Sequence, residues 1–407
     1  MRCSRLIGIM VIVAGAIAIQ PYAWTASENA APATGSEAKP QVKGRTYTLG
    51  AGKDAVPVLE VWGSAYEMGF AQGWLLGEQV RDACATTVPA MLKGMEKTPE
   101  QVDEVFRQQA RFIPQAFQDE MQGIADGAGL PVADIQRLNA IPDLSEYHCS
   151  YFAAWGSAVK DRHLWQIRAL DYEMNAGIQR YPLLVVYVPT AGNGFVNVTW
   201  AGMIGVISGM NEQKLAVSEI GDNFGPDKET LDGEPMPFLL REVLEYCDTL
   251  DQATRLIQNA KRTSSYHYCV GDAKANGGVG DARGFITCKD YCQVHGPDDQ
   301  PHPKHLKDVV YMSMGLDTAE EWPKGHNAKL FDRLKANYGK IDRDVAASDV
   351  MYKVKTGDLH AVVYDVSDLT LWVANAEGKS PAYAREYVGF NFGASIHQFR
   401  KYQSNGG

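Results

Sequence analysis
The chain has 407 residues, 45% of them hydrophobic and 22% charged, with a formal net charge of -10. That length and balance suit an ordinary globular protein of one large or two smaller domains. The acidic excess leaves no basic stripe to neutralise phosphates, so no nucleic-acid partner is expected.

Arg2 and Arg5 precede an apolar run from Leu6 to Ile19, followed by Gln20-Pro21 and small residues around Ala26, the order of a secretory signal. The run is shorter than the ~20 residues a spanning helix needs. Residues 1–26 therefore read as a signal peptide, and the mature protein is expected to be secreted or periplasmic, with no membrane association once the signal is gone. Residues 27–44, rich in Ala, Ser, Glu, Pro and Lys without apolar periodicity, read as a flexible leader, and the folded part begins near Arg45.

Val56 to Trp62 has the density of Val, Leu and Trp expected of a strand. Ser64 and Glu67 form a capping-box signature for a helix in which Gly69, Gly73 and Gly77 recur at every fourth position, the spacing that lets a second backbone approach. Further helices are predicted from Thr98-Pro99, from Pro114 to about Ala128, and from Pro131 to Leu138. Residues 45–148 thus read as a mainly helical segment.

At His148-Cys149 the texture changes. Ser150 to Val159 and Leu164 to Leu170 read as a hairpin, as do Tyr181 to Pro189 with Phe195 to Trp200, and Met203 to Ser208 with Leu215 to Ile220 around a turn that contains Asn211. Helices follow at Pro235 to Cys247 and Leu250 to Lys261, then a strand at Tyr266 to Asp272. Residues 290–307 read as a polar surface loop, Ala328 to Tyr338 as a helix capped by Asn327, and Ala361 to Tyr364 with Thr370 to Ala374 as a last hairpin. Helices, strands, helices and strands in that order predict a layered α+β fold.

If 150–159 pairs with 164–170, Arg168 and Asp171 return beside Cys149. That placement suits an amino-terminal nucleophile: a freed α-amino group, pKa near ~8, can act as general base for its own thiol. Asp171 would hold the amine, and Arg168 would favour the thiolate. Taken alone, the same residues also fit a surface ion pair beside a buried cysteine. A second constellation, Cys288, Cys292, His295, His302 and His305, fits a zinc site, a disulfide or plain surface decoration.

Gly63-Ser64-x-Tyr66-Glu67-Met68-Gly69-x-x-Gln72-Gly73, Cys149-Ser150, Arg168-x-x-Asp171 and Gly209-Met210-Asn211-Glu212, in this order and spacing, resemble the penicillin acyltransferase family of autoproteolytic enzymes, peptidase family C45. More distantly the chain is similar to choloylglycine hydrolases and penicillin V acylases. The resemblance implies an αββα sandwich of the N-terminal-nucleophile hydrolase type, without a cofactor, made as a precursor that cuts itself between His148 and Cys149. It implies Cys149 as nucleophile, Asp171 as orienter of its amine, Arg168 beside the thiol, and Asn211 as an oxyanion-hole donor. The two products, ending at 148 and beginning at 149, are expected to stay associated.

One position departs from the pattern. Where relatives carry Ser-Ser-Asn, this chain has Ser264-Ser265-Tyr266-His267, so His267 or Tyr266 stands in the place of a second oxyanion donor. The activity expected is that of an exported cysteine amidase or acyltransferase acting on a small-molecule amide through an acyl-thioester. The alternatives are a binding protein that kept the fold without turnover, and a zinc-binding protein.

Overall fold
The computed structural model describes residues 41–145, 148–172, 174–316, 322 and 324–404. The expected signal peptide, 1–26, and nearly all of the expected leader, 27–44, lie outside the described residues. The strands are β1 Gly44–Leu49, β2 Val56–Gly63, β3 His148–Ala154, β4 Trp165–Asp171, β5 Pro182–Pro189, β6 Phe195–Trp200, β7 Ser208–Asn211, β8 Leu215–Gly221, β9 Tyr266–Asp272, β10 Asp281–Cys288, β11 Tyr291–His295, β12 Val309–Ser313, β13 His360–Asp365, β14 Thr370–Asn375 and β15 Val388–Asn391.

They form two sheets. One runs β1-β2-β5-β6-β7-β8-β9-β10-β11 and the other β12-β3-β4-β13-β14-β15. Every pairing is antiparallel except β2 with β5. Alternation along β3 and β4 shows how the layers stack. Cys149, Tyr151 and Ala153 join the core shared with the larger sheet. Phe152, Ala154, Trp165, Ile167 and Ala169 face a separate core built with Leu330, Phe331, Leu334 and Val350. Helices Ala65–Leu75, Met236–Tyr246 and Leu250–Asn259 pack on the nine-stranded sheet, and His326–Ala336 on the six-stranded one. The result is the αββα sandwich that the resemblance implies.

Local chemistry explains the helix ends. Ser64 and Glu67 make the reciprocal capping box, as do Thr98 and Gln101 with Pro99 in the first turn. Helix Gln115–Ala128 stops at Gly129, whose φ of 67° a glycine adopts without strain. The glycine ladder brings two backbones into contact: a Cβ on Gly69 would lie 2.0 Å from the Glu120 carbonyl oxygen, and one on Gly73 2.2 Å from that of Ile124. At Gly77 the approach is looser, a Cβ there lying 3.7 Å from Ala128 Cα.

Several local expectations differ from what is observed. Residues 45–148 hold β1 and β2 as well as helices. The strand predicted at 203–208 begins instead at Ser208, because Asn211 ends β7 and the turn is shorter than the sequence suggests. The predicted surface loop 290–307 contains β11 and buries His295 and His302. Asn327 does not cap its helix; Gly325 does. Asn327 instead points its amide at residues 313–315, donating to the Ser313 carbonyl (3.0 Å) and the Gly315 carbonyl (2.7 Å).

Candidate active site
Cys149 sits at the start of β3, fully buried, in register with Leu170 of β4, and His148 lies opposite Asp171. The Cys149 carbonyl accepts from the Met314 amide at 2.8 Å, which fixes the residues after β12 beside the start of β3. Burial pushes the thiol well above its ordinary range; the Arg168 charge opposes this, while Glu219 and Asp171 add to it. The sulfur is therefore a protonated thiol.

Asp171 ends β4, and the segment after Lys355 wraps its carboxylate. Its Oδ1 accepts from the amides of Gly357 (2.7 Å) and Asp358 (2.9 Å), and its Oδ2 lies 2.6 Å from Thr356 Oγ1. Thr356 Oγ1 is also 2.7 Å from Ser150 Oγ, which is 2.8 Å from Ser313 Oγ. A threonine hydroxyl has one proton and ionised Asp171 accepts only, so the chain of donors runs from Ser313 through Ser150 and Thr356 to Asp171. Burial raises the Asp171 pKa to about 6 against these hydrogen bonds.

Arg168 projects from β4 into the sandwich and pairs with Glu219 of β8; both side chains are fully buried. Its Nε and Nη1 have no protein partner. Burial lowers the guanidinium pKa, but the neighbouring Cys149 and Glu219 outweigh it and hold the charge. Arg168 thus places a fixed cation on the same face as the thiol. His360 of β13, opposite Leu170, lies flat against Trp200 with centroids 5.3 Å apart, and its Nε2 is 2.9 Å from Ser208 Oγ.

The other candidates do not meet there. Asn211 gives both amide hydrogens to the carbonyls of Leu244 and Cys247, each at 2.9 Å, and accepts from the amides of Gln213 and Leu215 at 3.0 Å. Its amide locks a hairpin onto a helix and has no hydrogen left for an oxyanion. His267 pairs with Asp222 at 2.5 Å and meets the Phe224 ring edge-on. That partner outweighs burial and lowers the Asp222 pKa. Tyr266 Oη donates to the Pro142 carbonyl at 2.8 Å, in helix Val132–Leu144.

The zinc constellation is not assembled. His302 is stacked between Tyr311 and Trp322, and His305 Nε2 lies 2.8 Å from the His302 carbonyl. Among the described residues the one close set of three potential ligands is His163, Asp365 and Asp368, elsewhere in the chain. No disulfide joins Cys288 and Cys292, and the Cys288 sulfur contacts Asp290 instead. Sequence reasoning missed Glu219, Thr356, Ser150 and Ser313. The alternation of Glu219 within an otherwise apolar strand was the available signal; Thr356 carried none.

Two recesses open among the neighbouring elements. A narrow apolar crevice is lined by Leu138, Ile141, Leu170, Trp200, Met203 and Ile207 among others. A small polar cleft lies by Asp143, Ser145 and Asp222.

Two facing sheets between helical layers make an αββα sandwich, with a cysteine opening one strand of the smaller sheet and an arginine and aspartate returning beside it. The model of the acyl-coenzyme A:6-aminopenicillanic acid acyl-transferase family matches residues 158–279. The chain is 27% identical over 399 residues to protein dcd1B of Dictyostelium discoideum, covering 86% of this chain and 76% of that protein. To the N-acylethanolamine-hydrolyzing acid amidase of Mus musculus it is 24% identical over 198 residues, covering 47% of this chain and 52% of the amidase. Among solved structures, the Caenorhabditis elegans ortholog of that amidase aligns with a TM-score of 0.41 at 17% identity, over 54% of this chain and 93% of that one. Penicillin V acylase from Agrobacterium tumefaciens aligns with a TM-score of 0.38 at 12% identity, over 57% and 84%.

Proposed function
We propose that the chain is an exported, self-processing cysteine amidohydrolase or acyltransferase whose nucleophile is Cys149. The observation that carries this reading is the shared geometry of Cys149, Arg168 and Asp171: thiol and guanidinium on one face of paired strands, and the carboxylate in register with His148.

In processing, the Cys149 sulfur attacks the His148 carbonyl carbon. The C–N bond breaks as the C–S bond forms, and the thiol proton passes to the released nitrogen. Water then hydrolyses the ester, leaving a carboxylate on His148 and an α-amine on Cys149. In turnover that amine takes the thiol proton, the thiolate attacks the substrate amide, and the leaving amine recovers the proton. Water resolves the thioester in hydrolysis, or a second amine does so in transfer. Asp171, held by three donors, faces the new ammonium, and Arg168 steadies the thiolate. The apolar crevice beside Leu170 receives the acyl chain.

Denaturing electrophoresis with amino-terminal sequencing tests the reading. The expected result is a chain beginning Cys-Ser-Tyr-Phe in the wild type and one uncut chain in Cys149→Ala. Uncut wild-type protein that hydrolyses amides would sink the mechanism. The committed amide of Asn211 favours a second reading, a binding relative without turnover, which predicts no acyl-thioester on any amide.

A further inference from the structure
The apolar crevice and the polar cleft meet at the hydrogen bond from Tyr266 Oη to the Pro142 carbonyl, since Pro142 lines the first and Tyr266 the second. The cleft has a distinct chemistry. Three carboxylate residues, Asp143, Asp222 and Glu229, line it with Ser264 and Ser265, and among the described residues no basic side chain does. Asp143 is held by Gln109 Nε2 and Thr263 Oγ1, each at 2.7 Å, and Asp222 by His267 on one oxygen and the Asn223 amide on the other. These contacts fix the carboxylates in place, and none of them brings a permanent cation into the cleft. Ser265 is only 1% exposed and its hydroxyl has no protein partner.

Residues 314 and 315 connect the cleft wall to Cys149. A Cβ on Gly315 would lie 2.9 Å from Asp222 Oδ2, and the residue before it, Met314, donates to the Cys149 carbonyl. Ser145, on the strand of chain entering the cut site, is another lining residue.

We propose that this cleft receives the amine half of the substrate and that this half carries a positive charge, as in a mono-N-acyl diamine with an apolar acyl chain. The assignment rests on the amidohydrolase reading above. An ammonium brings three N–H donors and a charge to a site of carboxylates and an unpartnered hydroxyl. A neutral alcohol brings one donor and no charge, and an anionic group is repelled. Burial, reinforced by Glu229, raises the Asp143 pKa to about 7, the response of a carboxyl that lacks a cation.

The test compares three amides of one apolar acyl chain, made with 1,2-diaminoethane, ethanolamine and glycine, on the processed full-length protein. The expected order of kcat/KM is cation over neutral over anion, with steps of about tenfold, the cation preference narrowing in Glu229→Gln. Equal or faster hydrolysis of the ethanolamide or the glycine conjugate overturns the charge assignment, while loss of all turnover in Cys149→Ala keeps the amidohydrolase reading intact. If none of the three is hydrolysed, the amidohydrolase reading fails for these amides. Calorimetric titration of 1,2-diaminoethane and ethanolamine into the uncut Cys149→Ala chain then decides: selective binding of the diamine supports the cleft, and no selectivity overturns it.

Discussion
Arg168 of β4 and Glu219 of β8 pair across the two sheets with neither side chain reaching solvent. The pair connects the layers at the level of the candidate nucleophile, and it is the main source of fixed charge beside a buried thiol. Glu219→Ala strands a guanidinium in the core, so a loss of about 3–5 kcal/mol in urea unfolding is expected. Replacing both partners with Met and Leu should recover most of that stability, yet leave processing impaired, because the cation is gone.

Thr356 links Ser150 to Asp171. Thr356→Val keeps the shape and removes both hydrogen bonds, at a cost of about 1–3 kcal/mol. Since the Thr356 hydroxyl lowers the Asp171 pKa, its removal should also move the acidic limb of the processing-rate profile to higher pH. Thr356→Ser should restore the wild-type profile. A profile that does not move would reduce Thr356 to packing.

Asp143 has a folded pKa of about 7 against an ordinary 3.8, raised chiefly by burial. The folded chain binds this proton more tightly than the unfolded one. The associated stability is therefore complete below about pH 3.8 and is lost as pH rises through about 7, by up to about 4 kcal/mol. Urea midpoints of the uncut Cys149→Ala chain should fall over that window, and Asp143→Asn should flatten the fall.

Asn211 offers a sharp contrast of roles. As the hairpin lock described above, Asn211→Asp should destabilise the chain while the kcat of the folded fraction stays within a few-fold. An oxyanion donor lost at this position would instead lower kcat by about 100–1000-fold.

Gly69→Ala should be the costliest methyl in the amino-terminal segment. It would force helices Ala65–Leu75 and Gln115–Ala128 apart, and a loss of about 1–3 kcal/mol in thermal or urea unfolding is expected.

How far these features were legible differs from place to place. Period-two runs gave β3, β4, β5, β6 and β9, and the glycine spacing foretold a backbone-to-backbone helix contact. Register did the rest for Arg168 and Asp171, because a hairpin that closes at 160–163 brings its two ends together. Asn211 misled because a turn-forming Asn and a hairpin-locking Asn look alike in sequence; what separates them is a helix carbonyl from residues 244–247. Thr356 was silent, since it matters through partners far away in the chain, and Glu219 showed only as a charge within a strand. The polar run 290–307 hid β11, an edge strand that needs no apolar alternation on its open side.

The pairing of β2 with β5 has a further consequence. Val58 to Gly63 precede the proposed cut and Leu184 to Pro189 follow it, yet they are neighbours in one sheet. The uncut chain can form that parallel pair as a single molecule. A cut and denatured protein would have to form it between two separate polypeptides, so its renaturation should slow on dilution where that of the precursor does not. The amino-terminal segment then acts once, in the first folding, and processing makes that event hard to repeat.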